Sequence, residues 1–122
     1  MDGHKKLSVY EKSYKAVLFM YDITTEFPVE ERYGLTNQIR RAAASIPLNI
    51  AEGYAKRESQ AEFKRYLMMA MGSSVEMGVL LDLAKDLSYI DKTIYTQADT
   101  MYDEVRKMLF SLIKQIKAKS EI

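Results

Sequence analysis

One stretch of this chain, Leu35–Tyr54, has the apolar spacing of a single helix although Pro47 lies in its interior. A proline inside a helix removes a backbone donor and clashes with the preceding turn, at a cost of about 3 kcal/mol. The apolar positions nevertheless keep a helical period across it, from Ile46 to Ile50. We therefore expect the helix to continue past Pro47 with a bend at that point, and we expect the fold or its assembly to offset the cost.

Capping signals divide the rest of the chain into three further helices. Ser8 with Glu11 and Ser59 with Glu62 have the S-x-x-E form of a capping box, and Asp91 precedes the last helical pattern. The predicted helices span residues 9–26, 35–56, 60–87 and 91–117, with a short turn at 30–33. Because the links are short, neighbouring helices should be antiparallel. The sequence therefore predicts an all-α, up-down-up-down four-helix bundle in a single domain, 1–122, with a polar leader at 1–7 and a C-terminal tail at 118–122.

The third predicted helix carries more apolar surface than one bundle core needs. One apolar line comprises Phe63, Leu67, Ala70, Met77, Leu81 and Ala84, and a second comprises Tyr66, Met69, Leu80, Leu83 and Leu87. A membrane-spanning helix over 66–84 is the alternative explanation, but Glu76 and Asp82 disfavour it because a carboxylate is costly inside a bilayer. The second line therefore predicts a homo-oligomer and no association with a membrane.

Composition excludes several classes of function. The chain has 18 basic and 17 acidic residues, unlike the strongly basic domains of dedicated nucleic-acid binders. It has no cysteine, one histidine (His4), no nucleotide-binding glycine motif and no Glu-x-x-His motif of the kind that holds a di-iron centre. We therefore predict that the chain is not an enzyme and has no cofactor or metal site. The leader lacks an apolar region, which predicts a cytoplasmic location.

Two groups of basic residues are candidates for nucleic-acid binding. The first is the pair Arg40 and Arg41, and the second brackets the turn between helices two and three and comprises Lys56, Arg57, Lys64 and Arg65. Tyr54 and Tyr66 lie near the second group, and cations beside aromatic rings hold single strands through phosphate contacts and stacking. The alternative for the second group is a solvated, mixed-charge turn, because acidic residues are interspersed with it.

Several of these residues also have a structural interpretation. Folding the predicted hairpin about residue 58 places Arg40 opposite Glu76, so an ion pair between Glu76 and either arginine is the alternative to phosphate binding. Asn49, Glu52 and Gly53 form a small polar group near the end of helix two. Without a nucleophile or a histidine nearby, these three are interpreted as helix-capping or subunit-contact residues rather than as catalytic ones.

The run LTNQIRRAAASIPLNIAEGYAKR, preceded by EFPVEERYG and followed by SQAEFKRYLMMAMGSSVEM, resembles the four-helix-bundle family of bacterial 23S rRNA intervening-sequence proteins, often labelled S23 ribosomal protein. The resemblance extends from Tyr10 to Ile116. The family is similar to the accessory variability protein that partners reverse transcriptase in diversity-generating retroelements. The resemblance implies a closed bundle assembled as a ring-like homopentamer without known catalysis, and it implies a link to rRNA, with Arg40, Arg41, Lys56 and Arg57 as nucleic-acid candidates.

Two functional interpretations follow from the sequence. In the first, the chain is an oligomeric bundle associated with rRNA or another structured nucleic acid. In the second, it is an oligomeric scaffold that binds a protein partner and does not contact nucleic acid directly. A direct nucleic-acid binder loses affinity steeply with salt because binding releases counterions, whereas a protein scaffold presents an exposed apolar surface.

The proline supplies a first testable prediction. Pro47→Ala restores a backbone hydrogen bond, so the helical content by circular dichroism should hold or rise. If the bend serves assembly, the same change should weaken the oligomer measured by light scattering. Unchanged helicity together with unchanged assembly would show that the proline is only tolerated.

Overall fold

The computed structural model describes residues 3–120, and for Lys6 and residues 117–120 it describes the backbone alone. This part of the chain contains no strand and four α-helices: α1 (Ser8–Thr24), α2 (Leu35–Ala55), α3 (Gln60–Asp86) and α4 (Lys92–Ser120). Short 3-10 helices lie at His4–Lys6 and Val29–Glu31. Each helix contacts its neighbours in sequence and α4 returns to α1, while the two diagonal pairs stay apart. The predicted all-α four-helix bundle is confirmed.

Two of the predicted helix caps are formed. The Ser59 hydroxyl accepts a hydrogen bond from the Glu62 backbone N–H at 3.2 Å, which begins α3. The Asp91 carboxylate accepts one from the Ile94 backbone N–H at 2.8 Å, which begins α4. Each side chain satisfies a donor that the first helical turn leaves without a partner. The start of both helices is therefore encoded locally.

The capping box predicted at Ser8 is not formed. Leu7 is the N-cap residue of α1, and it provides no side-chain cap. The 3-10 helix at His4–Lys6 leads directly into α1, so the Leu7 carbonyl accepts the first backbone hydrogen bonds instead. Much of the predicted leader is thus structured, although residues 1 and 2 lie outside the described part. At the other end α4 continues to Ser120, and residues 121 and 122 of the predicted tail lie outside it.

The N-cap residue of α2 is Gly34, which has no side chain to cap the helix, and the Glu31 carboxylate caps it instead. One carboxylate oxygen accepts a hydrogen bond from the Leu35 backbone N–H at 2.9 Å, and the other accepts one from the Tyr89 hydroxyl at 2.8 Å. These two bonds lower the pKa of Glu31, the backbone bond contributing most. The α1–α2 connection is therefore tied to the α3–α4 connection at one end of the bundle.

The core contains the first apolar line predicted on α3. Phe63, Leu67, Ala70, Met77, Leu81 and Ala84 are all buried. On α4 the fully buried positions are Ala98, Tyr102, Val105 and Leu109. The second predicted line on α3 divides, because Leu80 is buried whereas Met69, Leu83 and Leu87 are about half exposed. One face of α3 therefore fills the core, and apolar side chains remain on the surface.

In the described part of the chain, α3 is the one helix long and apolar enough to cross a membrane. Length and composition alone are weak support for such a span, because the core helix of a bundle passes the same test. The buried line from Phe63 to Ala84 packs against the other helices. The bundle therefore explains the apolar residues on the buried face of α3.

The proline in α2 does not end the helix. α2 is continuous from Leu35 to Ala55 and Pro47 is buried within it, which confirms that the helix continues. Proline has no backbone N–H, so the Ala43 carbonyl has no donor four residues on. The bend at Pro47 stays a prediction.

Gly53 allows α2 and α3 to approach closely just before the turn that joins them. A Cβ atom at this position would lie 2.9 Å from Cβ of Tyr66 and 3.2 Å from the carbonyl oxygen of Phe63. The second of these atoms is backbone and cannot rotate away. The glycine in the NIAEGY run therefore has a packing role within the bundle, and the capping or subunit-contact role expected from the sequence stays a prediction.

We expect Gly53→Ala to lower the free energy of unfolding by about 1–3 kcal/mol, because the added methyl group forces the helices apart. Gly78→Ala is a matched control on α3, since its Cβ would meet only the Arg106 guanidinium, at 3.8 Å. The control should gain about 0.5–1 kcal/mol from better helix propensity. Urea denaturation measures both values. A Gly53→Ala variant as stable as the parent would contradict the packing role.

Candidate nucleic-acid interface

The turn between α2 and α3 brings cations and aromatic rings together. Two cations lie close to the ring of Tyr66, with the Arg65 Cζ atom 4.5 Å and the Lys56 Nζ atom 5.4 Å from the ring centroid. The Arg57 Cζ atom lies 4.0 Å from the centroid of Tyr54. The association of basic and aromatic side chains that the sequence suggested is therefore present in the fold. We call Tyr54, Lys56, Arg57, Arg65 and Tyr66 the turn cluster.

Acidic residues already partner part of the turn cluster. Lys56 forms an ion pair with Glu52 at 3.1 Å, and Arg65 donates to both oxygens of Glu62, at 3.0 and 3.2 Å. The hydrogen bond that Lys56 donates to Glu52 raises the pKa of Lys56, and the hydrogen bonds that Glu62 accepts from Arg65 lower the pKa of Glu62. Both pairs are solvent-exposed, and exposed pairs contribute little to stability. A phosphate group can therefore replace either carboxylate at small cost.

Arg57 and Lys64 occupy the remaining basic positions at the turn. The Arg57 guanidinium donates to the Tyr54 carbonyl at 2.9 Å, which satisfies an acceptor at the C-terminal end of α2. Lys64 is half-buried and forms none of the ion pairs found among residues 3–120. Arg57 is likewise in none of these ion pairs, so the charges of both residues lack a carboxylate partner in the described part of the chain.

Arg40 is held by α1 and is not part of this surface. Its Nε atom donates to the Thr24 hydroxyl at 2.8 Å, and its Nη2 atom donates to the Tyr21 carbonyl at 3.3 Å. Its Cζ atom lies 4.7 Å from the centroid of the Tyr21 ring. The Thr24 hydroxyl in turn donates to the Met20 carbonyl at 2.8 Å. Arg40 therefore joins α2 to the C-terminal end of α1, where carbonyl groups favour a cation.

The predicted ion pair with Glu76 is not formed. The ion pairs of the described residues do not include Glu76, which is exposed. The Oγ atoms of Ser45 and Ser73 are 2.8 Å apart, so Ser45 lies opposite Ser73 and not opposite Met71, as folding about residue 58 required. The ion pair between Arg40 and Glu76 was predicted wrongly because the hairpin has a different register and because Arg40 is bonded to α1. Arg41 is exposed and has no ion-pair partner in the described part.

The polar group at Asn49 and Glu52 acts within α2. The Asn49 side-chain amide donates to the Ser45 carbonyl at 2.8 Å and to its hydroxyl at 3.0 Å, so Asn49 does not cap the helix. Glu52 pairs with Lys56 one turn further on. Among residues 3–120, no group of three or more potential metal ligands occurs. Asn49 and Glu52 therefore both have their side-chain partners within or at the end of α2.

Sequence reasoning missed two structural contacts that span the bundle. Arg106 on α4 donates to the Ser74 carbonyl of α3 at 3.0 Å, and Tyr95 donates to Asp82 at 2.7 Å. The second bond raises the pKa of Tyr95 to about 12. Neither contact has a local sequence signal, because the partners lie on different helices and meet only once the helices pack.

Comparison with known proteins identifies the family of the chain. The profile of a family described as 23S rRNA-intervening sequence protein matches residues 5–111. The chain belongs to this family. The family resemblance noted in the sequence is thereby confirmed.

A crystal structure of a relative extends the comparison. This protein, from Bacteroides thetaiotaomicron, is described as a protein of unknown function from the S23 ribosomal protein family. It is 28% identical to the present chain, the match covers 87% of this chain and 95% of the relative, and the TM-score is 0.77. No curated protein is similar enough to match. The fold is thus shared within the intervening-sequence family, which is not named for a catalytic activity.

The two adjacent arginines should differ in their effect on stability. Arg40→Met removes the bonds to Thr24 and Tyr21, so we expect a loss of about 1–2 kcal/mol in the free energy of unfolding. Arg41→Met removes an exposed side chain with no such bonds and should change it by less than about 0.5 kcal/mol. Thermal and urea unfolding of both variants provide the measurement. Equal losses would argue against the anchoring role of Arg40.

Proposed function

We propose that this chain is a non-enzymatic, cytoplasmic, homo-oligomeric bundle that associates with rRNA or another structured nucleic acid. The observation that carries the proposal is the turn cluster, in which Arg57 and Arg65 stack on tyrosine rings at an exposed end of the α2–α3 hairpin. Stacked cations beside aromatic faces suit both phosphate groups and unpaired bases.

Assembly supplies what a single turn cluster lacks. The net charge of one chain is only +1, and the cluster is partly neutralised by Glu52 and Glu62. When several copies are joined, their clusters act at a high effective concentration on one nucleic-acid molecule, so weak contacts add up to useful affinity. The family resemblance implies a ring-like homopentamer, which is the arrangement we favour. It also makes a reverse transcriptase a further partner to consider.

A protein-interaction scaffold is the second proposed function, and a specific observation favours it. Apolar side chains on the outer face of α3, including Met68, Val75 and Val79, are more than half exposed. Apolar side chains grouped on one face are typical of protein interfaces. In this alternative the assembled bundle binds a protein partner, and nucleic acid is contacted only indirectly.

The turn cluster can be tested with a fluorescently labelled RNA stem-loop. The triple variant Lys56→Gln, Arg57→Gln, Arg65→Gln should lose at least about tenfold in affinity by fluorescence anisotropy. The dependence of log affinity on log salt should also become shallower by about two to three. Light scattering on the same samples reports whether the chain is assembled.

A triple variant on α4, Lys92→Gln, Lys107→Gln, Lys114→Gln, is the matched control, because it removes the same charge from another surface. It should keep most of the affinity. Equal losses in the two triples would overturn the assignment of the turn cluster. A parent protein that fails to bind RNA would overturn direct nucleic-acid binding and leave the scaffold as the function.

A further inference from the structure

A cavity of about 230 Å³ lies at the end of the bundle where α1 is joined to α2. Its walls are formed by the end of α1, the connection that follows it and the first turns of α2. Its apolar lining is the segment 27–29, and its polar lining consists of Thr24, Thr25, Arg32, Thr36 and Arg40. We call it the corner cavity. Among the described residues, its lining includes two arginines and no carboxylate, so the cavity favours an anion.

Arg40 is a fixed cation in the corner cavity. Its Nε and Nη2 atoms donate to the Thr24 hydroxyl and the Tyr21 carbonyl, at 2.8 and 3.3 Å. Both acceptors are neutral, so the bonds hold the guanidinium in place without cancelling its charge. Its Nη1 atom makes no hydrogen bond within the described part of the chain. A guanidinium that is already held loses little side-chain entropy when its remaining donor binds an anion.

Arg32 supplies the second charge. It is exposed and forms none of the ion pairs found among residues 3–120. Of the acidic residues close to it in sequence, Glu26 and Glu30 are exposed and do not line the cavity. The two oxygens of Glu31 are bonded to the Leu35 backbone N–H and to the Tyr89 hydroxyl. No carboxylate of the described residues therefore neutralises Arg32.

The Thr36 hydroxyl lacks a partner inside the protein. Thr36 is only 9% exposed, and its hydroxyl makes no hydrogen bond to any residue that the structure describes. The other two hydroxyls of the cavity are occupied, since Thr24 donates to the Met20 carbonyl at 2.8 Å and Thr25 to the Asp22 carbonyl at 2.6 Å. A buried donor without a partner is costly, so a free one beside a cavity indicates a ligand that accepts its hydrogen bond.

The position of Thr36 in the first turn of α2 adds to this preference. The backbone N–H groups of a first helical turn have no acceptor within the helix, and the helix dipole places partial positive charge there. α2 is 21 residues long, so its dipole is fully developed. The hydroxyl, the helix end and the two arginines all favour a negatively charged ligand.

We propose that the corner cavity binds the terminal phosphate group of a phosphate monoester. Two arginines match the nearly two negative charges that such a group carries near neutral pH, whereas a carboxylate carries one. The apolar segment 27–29 lies beside the arginines and suits the carbon part of an ester better than inorganic phosphate does. Pockets for drug-sized ligands begin at about 300 Å³, so this cavity admits a small ester or only the phosphorylated end of a larger one.

The corner cavity is separate from the turn cluster. α2 joins α1 at one end and α3 at the other, and its 21 residues span about 30 Å at 1.5 Å per residue. The site uses residues of a single chain and needs neither assembly nor the turn cluster. Failure of the proposed function would therefore leave this proposal standing, and failure of this proposal would leave the proposed function standing.

Isothermal titration calorimetry with phenyl phosphate at pH 7.5 tests the site, and the parent should bind one molecule per chain. Arg32→Gln should lower the affinity at least about tenfold, because a charged hydrogen bond is lost. Thr36→Val should also lower it about tenfold, whereas Thr36→Ser keeps the hydroxyl and should stay within about threefold of the parent. Arg41→Gln removes the same charge outside the cavity and should change the affinity by less than about twofold.

Phenyl sulfate tests whether the second negative charge is used, because it has the same shape with one permanent charge. It should bind at least about fivefold more weakly than phenyl phosphate at pH 7.5. At pH 5.0 the phosphate gains a proton, since its second pKa is about 6, and its affinity should fall to that of the sulfate. The affinity for the sulfate should not change between the two pH values.

A terminal phosphate is carried both by small molecules and by the 5′ end of RNA. Titration with an RNA trinucleotide in its 5′-phosphate and 5′-hydroxyl forms separates these sources. Binding of the 5′-phosphate form alone, weakened by Arg32→Gln, supports the site and makes an RNA end a ligand. Binding of phenyl phosphate without either trinucleotide supports it for small esters.

Three results would overturn the proposal. The first is a parent that binds neither phenyl phosphate nor the 5′-phosphorylated trinucleotide at millimolar concentration. The second is an equal loss of affinity in Arg32→Gln and Arg41→Gln, which would mean that the anion is attracted by net charge alone. The third is a Thr36→Val variant that is folded by circular dichroism and binds as tightly as the parent. If that variant is unfolded, Arg32→Gln, on an exposed side chain, decides the question.

Discussion

The close packing of α2 against α3 is the constraint on which the rest of the structure depends. Gly53 lets the two backbones approach just before the turn, and the hydrogen-bonded hydroxyls of Ser45 and Ser73 set the register further along the hairpin. This register places Lys56 and Arg65 on either side of Tyr66. It also leaves Arg40 on the side of α2 that faces α1. The position of each basic residue thus follows from how these two helices meet.

The electrostatics of the chain are balanced locally as well as overall. The Arg40 guanidinium is hydrogen-bonded to the Thr24 hydroxyl of α1, while Lys56 and Arg65 have exposed carboxylate partners. Exposed ion pairs are weak and exchange readily, so a partnered cation is still free to move to a phosphate group, whereas an arginine bonded to buried groups is not. Whether a basic residue is held in the fold or is free to move to a phosphate group depends on its burial and on the kind of acceptor that it contacts. Counting positive charges in the sequence does not separate the two cases.

The excess of apolar residues has two different explanations in this fold. One face of α3 fills the core of the bundle, and the opposite face exposes Met68, Val75 and Val79. A groove between α1 and α2, lined in part by Val17 and Leu48, is a second exposed surface. A membrane span, a core helix and an interface helix have similar compositions, and only the position of each side chain in the bundle separates them.

Features encoded by neighbouring residues were predictable from the sequence. Ser59 and Asp91 cap helices through groups three residues away, the apolar line from Phe63 to Ala84 follows the helical period, and α2 continues across Pro47 because Ile46 and Ile50 keep that period. These are short-range properties of one chain segment. The four helices and their bundle follow from them, since each helix has one face to bury.

The orientation of the helices around their own axes was decided only by the tertiary structure. The sequence suggested Glu76 as the partner of Arg40, but the partners are Thr24 and Tyr21, which lie 16 and 19 residues away on another helix. A shift of two residues in the hairpin, or a rotation of one helix by a fraction of a turn, changes every such contact without changing the helical pattern. The groove between α1 and α2 likewise forms only where these two helices pack together. Local periodicity therefore determined which segments are helical and which faces are buried, while the contacts between helices were determined by the packing of side chains far apart in the chain.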